Sequence, residues 1–483
     1  MRIRHSLGLV IVHLFLAASP PSRAATIVVD TLLDAGVVDG FCSLREAILA
    51  ADSNSPSGDC PAGSGPSDRI RFAVTGTILL TSDLPAIGEA LAIEGPGRDL
   101  LTLDGDNLFP ILRFDALSTT QFVVRDLSLA HGFASVFPFE SGGCIQTAFS
   151  SVGLALLDVT IRDCRATGNG GGIHSGGSLL LDRVWLDGND AQATGGGGGG
   201  LLALGIGNVE IVNSTFSGNF ASGSNASGGA MKVYVSGQVE VTSSTFSRNF
   251  SNERGGAIHF SGIGSNVLVA TLRDSTFVGN ESDVDESSSA ATGGTLYLSN
   301  QTTSQLSLTL SNTVLAMGKD NASPTRCPEI LLAPGDAPPE LTSAGFNLVA
   351  DGSCVAAAFP ASPGPGLPNL QGDFVGTLAS PIDPRLDILG ENGGSTPTHL
   401  PLQETPHPVV DQGSCPESGQ DQRGLRGTAT SHRFHDVAAV PDNPAGDGCD
   451  IGAAERGASA PVRNLFLDGF ESATTLFWSA ELP

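Results

Sequence analysis

The sequence predicts an all-β fold in which short strands wind into a right-handed parallel β-helix. A six-residue phrase, Ser-Thr-Phe followed at its sixth position by Asn, recurs three times, with its phenylalanines at Phe216, Phe246 and Phe277. These phenylalanines lie 30 and then 31 residues apart. A glycine pair recurs between the copies, as in the Gly-Gly-Ala-Ile of 255–258. A fixed period in this range indicates stacked structural repeats.

Each repeat carries a strand pattern with one buried face. Aligning the chain on the phenylalanine position places Leu129, Ile161 and Leu186 there in the upstream copies. Five residues earlier, the side chain is apolar in every copy: Val124, Leu156, Leu181, Ile211, Val241 and Leu272. The residue just before that one varies in polarity, which is typical of a strand exposed on its other face. One such strand cannot bury its apolar face alone, so we expect coils stacked about 4.8 Å apart with the phenylalanines in a core column.

An asparagine follows the aligned position by three residues in four copies: Asn189, Asn219, Asn249 and Asn280. Amide side chains stacked in a turn can hydrogen-bond along the axis as a ladder. The alternative is N-glycosylation, because Asn249 and Asn280 each begin an Asn-x-Ser sequence. We favour the ladder, since the structural period explains all four copies and two of them lack the glycosylation sequence.

The N-terminus has the pattern of an export signal, residues 1–24. Arg2 and Arg4 form a charged start, residues 7–18 form an apolar stretch, and Ser22-Arg23-Ala24 has the small-x-small cleavage pattern. The mature chain is therefore expected to begin near Ala25. No other segment is long enough for a membrane-spanning helix, so we predict no transmembrane segment in the mature chain and a secreted or cell-surface location.

Export makes the eight cysteines candidates for disulfides. Eight cysteines allow 105 pairings, and we predict that neighbours in sequence pair. The predicted pairs are Cys42 with Cys60, Cys144 with Cys164, Cys327 with Cys354, and Cys415 with Cys449. No C-x-x-C sequence occurs, so we predict no metal and no cofactor. His131, His174 and His259 lack ligand spacing and are expected at corners or on the surface.

One helix is expected, at the N-terminal end of the solenoid. Ser43 and Glu46 have capping-box spacing, and Leu44, Ala47 and Ile48 share one apolar face at helical spacing. Because the open end of a solenoid exposes its core, this helix is well placed to cover that end.

Several phrases resemble known families of exported bacterial proteins. The Cys-Ser-Leu-Arg-Glu-Ala of 42–47 is similar to the signature of the CSLREA domain, and the glycine-pair and Phe-x-x-Asn repeats resemble those of polymorphic outer-membrane proteins. Residues 392–399, 421–424 and 449–455 resemble the choice-of-anchor Q region. These resemblances imply a CSLREA-type cap at 25–69, pectin-lyase-like β-helix repeats at 70–350, a choice-of-anchor Q-like region at 351–456 and a tail at 457–483.

Composition narrows the function without identifying it. A net charge of −26 disfavours binding to nucleic acid or anionic membranes. Glycoside hydrolysis needs two carboxylates flanking a cleft. The outward candidates are spread over several coils, and several lie at the same corner as arginines: Asp158, Asp163, Asp182, Asp187 and Asp274. The catalytic residues are therefore unknown. We favour a non-enzymatic surface for adhesion or for binding a matrix component or other extracellular ligand, with carbohydrate as one candidate. The alternative is a polysaccharide lyase or glycoside hydrolase of the pectin-lyase-like type.

Overall fold

The computed structural model describes residues 24–457 apart from 66, 117–119, 136–139, 148–151, 263, 289–291, 301–302, 322–325, 335–337, 403–406, 416–419, 426–439 and 445. The chain is a nearly all-β solenoid with 27 strands in one sheet and seven in another. Neighbouring coils pair in parallel, which confirms the predicted parallel β-helix. Most of the predicted signal sequence and of the predicted tail lies outside the described residues.

The strands stack in four columns along the axis. The first column contains Thr26–Val29, Asp68–Phe72, Leu91–Glu94, Gln121–Ala130, Gly153–Arg162, Ser178–Asp182, Val209–Val212, Met231–Thr242, Val267–Arg273, Gln305–Ser311 and Glu340–Ser343. The second contains Gly76–Leu79, Leu101–Asp104, Trp185–Asp187, Thr215–Ser217, Thr245–Ser247, Thr276–Val278, Val314–Ala316, Leu348–Val349 and Phe374–Val375, together with the second halves of Gln121–Ala130 and Gly153–Arg162.

The third column contains Leu112–Phe114, Ile145–Thr147, Ile173–Ser175, Leu201–Ile206, the first half of Met231–Thr242, Ile258–Gly262, Leu296–Asn300 and Ile330–Leu332. The fourth contains Phe133–Ala134, Arg165–Ala166, Asp190–Ala191, Phe220–Ala221, Phe250–Ser251, Glu281–Ser282 and Lys319–Asp320.

The corner between the first and second columns is set by one residue in the left-handed conformation. Its φ is 57° at Asp126, 53° at Asp158, 52° at Asn213 and 50° at Asp274. Asp and Asn tolerate this conformation better than other residues that carry a Cβ, which explains why they recur here. Arg183 occupies the same position with a φ of 55°.

The core is built from stacked columns of apolar side chains. Phe216, Phe246 and Phe277 are fully buried, and their rings stack with centroids 4.7 and 4.6 Å apart and interplanar angles of 6° and 8°. Leu186 extends this column in the preceding coil and Leu315 in the following one. Leu156, Leu181, Ile211, Val241 and Leu272 are also in register and fully buried.

The four asparagines form a continuous ladder beside this core. Asn189, Asn219 and Asn249 each donate from Nδ2 to the Oδ1 of the next asparagine at 2.9 Å. The same Oδ1 atoms of Asn219, Asn249 and Asn280 accept the backbone N–H of the preceding asparagine at 3.1–3.2 Å. All four side chains are fully buried, so Asn249 and Asn280 offer no free amide to a glycan in the folded protein.

A second ladder, of hydroxyl groups, runs parallel to the first. The Oγ atoms of Ser214, Ser244 and Ser275 accept the backbone N–H of the preceding coil at 3.0, 3.2 and 3.3 Å. Each hydroxyl donates to a carbonyl oxygen two residues earlier in its own chain segment, at 2.7–2.8 Å. These bonds satisfy buried backbone donors at a corner where the strand pairing is interrupted.

Helix α1, Leu44–Ser53, contacts Thr26–Val29 and Asp68–Phe72 at the N-terminal end of the solenoid. Its capping box is complete: Ser43 Oγ accepts the N–H of Glu46 at 3.3 Å, and Glu46 Oε2 accepts the N–H of Ser43 at 3.1 Å. Leu44, Ala47 and Ile48 are fully buried against the first coils. A 3-10 turn, Ser353–Val355, and the strand Phe374–Val375 lie in the C-terminal region.

Candidate functional site

The structure joins the eight cysteines in the four pairs expected from the sequence, with Cα–Cα distances of 4.8, 5.6, 5.7 and 5.9 Å in chain order. Potential ligand atoms of Cys415, Cys449 and Glu455 lie within 4.8 Å of one another. Two of the three are sulfur atoms of one disulfide, so no thiolate is present to bind a metal ion. Among the described residues, no helix is long and apolar enough to cross a bilayer.

The C-terminal region folds back over the outer face of the second column. Gln422 bridges two coils, because its Nε2 donates to Thr215 Oγ1 at 2.7 Å and its Oε1 accepts from Thr245 Oγ1 at 2.6 Å. The N–H of Ala453 donates to Thr276 Oγ1 at 2.9 Å. His399 Nε2 lies 3.0 Å from Ser247 Oγ. In the coils that carry Thr215, Thr245 and Thr276, this face of the solenoid is therefore covered by the chain itself.

We call residues 392–399, 421–424 and 449–455 the covering region. Ion pairs and hydrogen bonds between these three segments hold the covering region together. Arg423 pairs with Asp421 at 2.6 Å, and the N–H of Glu455 donates to the same carboxylate at 3.0 Å. Both Glu455 oxygens accept the N–H of Asp450 at 3.2 Å. Asp421, Asp450 and Glu455 are fully buried, so these charged residues act as internal hydrogen-bond partners.

Asp158 and Asp182, weighed above as catalytic carboxylates, belong to an ion-pair network with neighbouring arginines. Arg183 contacts Asp158 at 2.8 Å and Asp182 at 2.6 Å, and Arg98 approaches Asp158 at 3.3 Å. Burial raises the pKa of Asp182, although Arg183 acts in the opposite direction. Arg98 also donates to the carbonyl of Ser395 at 2.6 Å, which ties the corner to the covering region. Because every partner is engaged, the corner fits a structural role.

The outer face of the third column carries a buried cluster that the sequence did not predict. His174 and His259, expected at corners or on the surface, lie within strands and are only 3% and 5% exposed. The expectation was wrong because the parallel register places both on one outward row, with Lys232 between them and Tyr297 beyond His259. The His259 and Tyr297 rings meet edge to face at 5.0 Å.

This cluster anchors a loop and does not present an open catalytic base. Lys232 Nζ donates to the carbonyls of Gly195 and Gly196 at 3.1 and 2.5 Å and lies 5.1 Å from the centre of the Tyr234 ring. Burial lowers the pKa of Lys232 to about 8 and raises that of Tyr234 to about 12. Shifts of this size also occur at active sites, yet here Lys232 as a whole is 3% exposed and its ammonium group holds the glycine-rich loop.

An open depression of about 470 Å³ lies on the outer face of the first column, near the N-terminal end. We call it the arginine groove. Its lining residues are Arg69, Arg71, Phe72, Glu94, Gly95, Pro96, Arg125 and Asp126. In the strand Asp68–Phe72, Ile70 points into the core, so the alternating Arg69 and Arg71 point outward.

The charges in the arginine groove follow the strand spacing. Arg71, Glu94 and Arg125 occupy one outward row on three successive strands. Adjacent strands lie about 4.8 Å apart, so the two arginines flank the glutamate at that interval. Arg71 pairs with Glu94 at 2.7 Å and Arg125 with Asp126 at 2.7 Å. The side chains of Arg71 and Arg125 remain 54% and 39% exposed, so they can also contact a ligand.

Comparisons with known proteins add no relative: no family model, curated protein or solved structure matches this chain. The resemblance to CSLREA and choice-of-anchor proteins therefore stays a prediction from the quoted motifs. The arginine groove is the candidate site because it combines an open surface with polar groups that are only partly engaged by one another.

Proposed function

We propose that this chain is an exported, non-enzymatic protein that presents its β-helix surface to an extracellular or cell-surface ligand. The arginine groove is the contact site, and the ligand is a carbohydrate polymer. The observation that carries this proposal is the alternation of exposed guanidinium groups with partly buried carboxylate groups at strand spacing on one open sheet face.

The groove matches the hydrogen-bonding pattern of sugar hydroxyl groups. A guanidinium group carries five N–H donors and a carboxylate has about four acceptor positions, so each ion pair keeps unused donors and acceptors. A hydroxyl group both donates and accepts, and can therefore bind between them. Phe72 adds an apolar wall beside Arg71, on which the C–H face of a sugar ring can pack.

The charge balance favours a neutral polymer over a polyanion. Three arginines face two carboxylates in the groove, while the chain as a whole carries a net charge of −26. The strong overall negative charge repels polyanions, although salt limits this repulsion to about 8 Å under physiological conditions. A polymer can in addition make repeated weak contacts along the stacked coils, which raises the overall affinity.

The test is a binding panel of soluble neutral polysaccharides and acidic ones such as polygalacturonate, read by biolayer interferometry. We expect binding to at least one neutral polymer, and a loss of about tenfold in Arg125→Ala, since a hydrogen bond to a charged group contributes about 1.5 kcal/mol. The matched control is Arg162→Ala. Arg162 also pairs with the next residue, Asp163, at 3.6 Å and is 45% exposed, but it lies outside the groove.

Two results would overturn the proposal. Equal losses in Arg125→Ala and Arg162→Ala, or no binding to any polymer, would remove the groove as the contact site. Release of new reducing ends or unsaturated uronates, abolished by Asp182→Ala or Asp187→Ala, would favour the lyase or hydrolase alternative.

A further inference from the structure

A second cavity, of about 430 Å³, lies at the C-terminal end of the solenoid. It is bounded by the fourth-column strand Lys319–Asp320, by the segment around Cys327 and by residues 378–383. The Cys327–Cys354 disulfide fixes two of its walls, because Glu329 lies two residues after the first cysteine and Asp351 lies three before the second. The disulfide and the strand pairing hold the walls at Lys319–Asp320 and at the segment around Cys327, and residues 378–383 complete the cavity.

The two sides of this C-terminal cavity differ in chemistry. Pro328, Leu378 and Ile382 form an apolar side, with Leu378 60% exposed at the rim. The acidic lining residues are Asp320, Glu329, Asp351 and Asp383. A ligand that fits both sides has an apolar body and a group that donates hydrogen bonds.

Two of the buried acids already have protein partners. Asp320 accepts the N–H groups of Thr292 and Cys327 at 3.0 and 2.9 Å. Glu329 accepts the N–H of Gly318 at 3.2 Å and contacts Thr295 Oγ1 at 3.0 Å. Burial raises the pKa of Glu329 to about 7, so this carboxyl group is partly protonated at neutral pH.

Asp351 is different. It is 5% exposed, and its Oδ1 accepts the N–H of Ser353 at 2.9 Å, whereas its buried Oδ2 accepts no hydrogen bond from the described residues. Of the basic residues in the lining, Lys319 is paired with Glu281 at 2.7 Å and Arg326 is exposed. A buried carboxylate oxygen that accepts no hydrogen bond is costly, and a ligand that brings its own donors to Oδ2 removes that cost.

We infer that this cavity binds a small organic cation, a primary ammonium group on an apolar body, with Asp351 as its carboxylate partner. The ammonium group supplies both the charge and the hydrogen-bond donors that Asp351 lacks, and the apolar body packs against Pro328, Leu378 and Ile382. This site is separate from the arginine groove, so the inference does not depend on the proposed carbohydrate ligand.

The test uses two probes of nearly equal size, n-butylammonium and n-butanol, titrated into the full exported chain and followed by ligand-observed NMR. We expect saturable binding of n-butylammonium and at least tenfold weaker binding of n-butanol. Asp351→Asn keeps the acceptor for the N–H of Ser353 but removes the charge, and should weaken n-butylammonium binding at least tenfold. Asp387→Asn, an exposed acid outside the cavity, should leave it unchanged.

A rim variant keeps the test decisive if Asp351→Asn is poorly folded. Leu378→Arg changes an exposed side chain, leaves the buried acids intact and places a guanidinium group at the cavity entrance. Loss of n-butylammonium binding in this variant supports the inference. Equal binding of n-butanol, retained binding in Leu378→Arg, or calcium chloride binding at the cavity without any n-butylammonium binding would overturn it.

Discussion

Replacing Glu329 with glutamine should stabilise the protein at neutral and alkaline pH. Glu329 is 2% exposed, and burial raises its pKa from 4.5 to about 7. Its oxygens contact Gly318 N and Thr295 Oγ1, and Thr295 Oγ1 can donate to the carbonyl of Pro328 at 3.4 Å. Thr295 Oγ1 donates to Glu329 Oε2 at 3.0 Å when the carboxylate is ionised. When the carboxyl group is protonated, the hydroxyl can donate to the carbonyl of Pro328 instead and accept the carboxyl O–H. Glutamine reproduces that arrangement, because its amide N–H replaces the O–H and its carbonyl oxygen accepts from Gly318.

The magnitude follows from the size of the pKa shift. Raising the pKa of Glu329 from 4.5 to about 7 corresponds to about 3 kcal/mol, because each tenfold change in the protonation equilibrium is worth about 1.4 kcal/mol. Between pH 4.5 and 7 the native state binds more protons at Glu329 than the unfolded state does, so the free energy of unfolding falls as pH rises. Below pH 4.5 both states are protonated and this loss is absent. Glu329→Gln should therefore match the wild type near pH 4 and exceed its stability by up to about 3 kcal/mol at pH 8.

Urea-induced unfolding at pH values from 4 to 8 measures this difference. The control is Glu281→Gln, whose effect should have the opposite sign. Although burial acts to raise it, hydrogen bonds from Lys319 and Asn321 lower the pKa of Glu281. Its stabilising contribution is present above the unfolded pKa and is lost as pH falls, so Glu281→Gln should destabilise at pH 7 and not at low pH. If Glu329→Gln were less stable than the wild type at pH 8, or followed the wild-type pH dependence, the assignment of a buried, protonated Glu329 would be wrong.

Three further predictions concern the repeats and the covering region. Phe246→Ala should lower the free energy of unfolding by about 3–5 kcal/mol through cavity formation, whereas Phe220→Ala, only half-buried, should cost clearly less in the same denaturation experiment. Asn219→Ala removes hydrogen bonds to both neighbouring coils and should lower the free energy of unfolding by at least about 3 kcal/mol. Asn252→Ala, at a half-buried position, should lower it by about 1 kcal/mol, and equal losses in the two variants would contradict a stabilising asparagine ladder. Gln422→Ala should speed proteolysis within the C-terminal region under native conditions, and unchanged cleavage kinetics would show that this residue does not hold the region in place.

The repeat phrase predicted much of the fold because each of its positions has a distinct physical task. In Ser214-Thr215-Phe216, the serine belongs to the hydroxyl ladder, the threonine contacts the covering region and the phenylalanine fills the core. The phenylalanine column could be predicted from polarity alone, and the asparagine ladder from its period. The serine ladder could have been found in the same way, since Ser214, Ser244 and Ser275 share that period.

Other features could not be predicted because they depend on contacts between unlike segments. Coils of different length separate His174, Lys232 and His259, so only the register of the third column shows that they share one outward row. The arginine groove likewise needs the pairing of Arg71 with Glu94 and of Glu94 with Arg125. Arg71 and Glu94 lie only 23 residues apart, which is off the period of the central repeats, so the sequence alone did not place them side by side.

The covering region determines which surface is left for binding. A bare solenoid would expose the outer threonines of the second column, yet Thr215 and Thr245 are fully buried beneath Gln422 and the segment around Pro397. In the first column the outward row instead contains Arg71, whose side chain stays 54% exposed. Binding through the second column would require the C-terminal region to detach and break these hydrogen bonds, whereas binding at the arginine groove requires no rearrangement. A polymer can therefore bind the first column without displacing the covering region, and this is why Arg125→Ala is the informative variant.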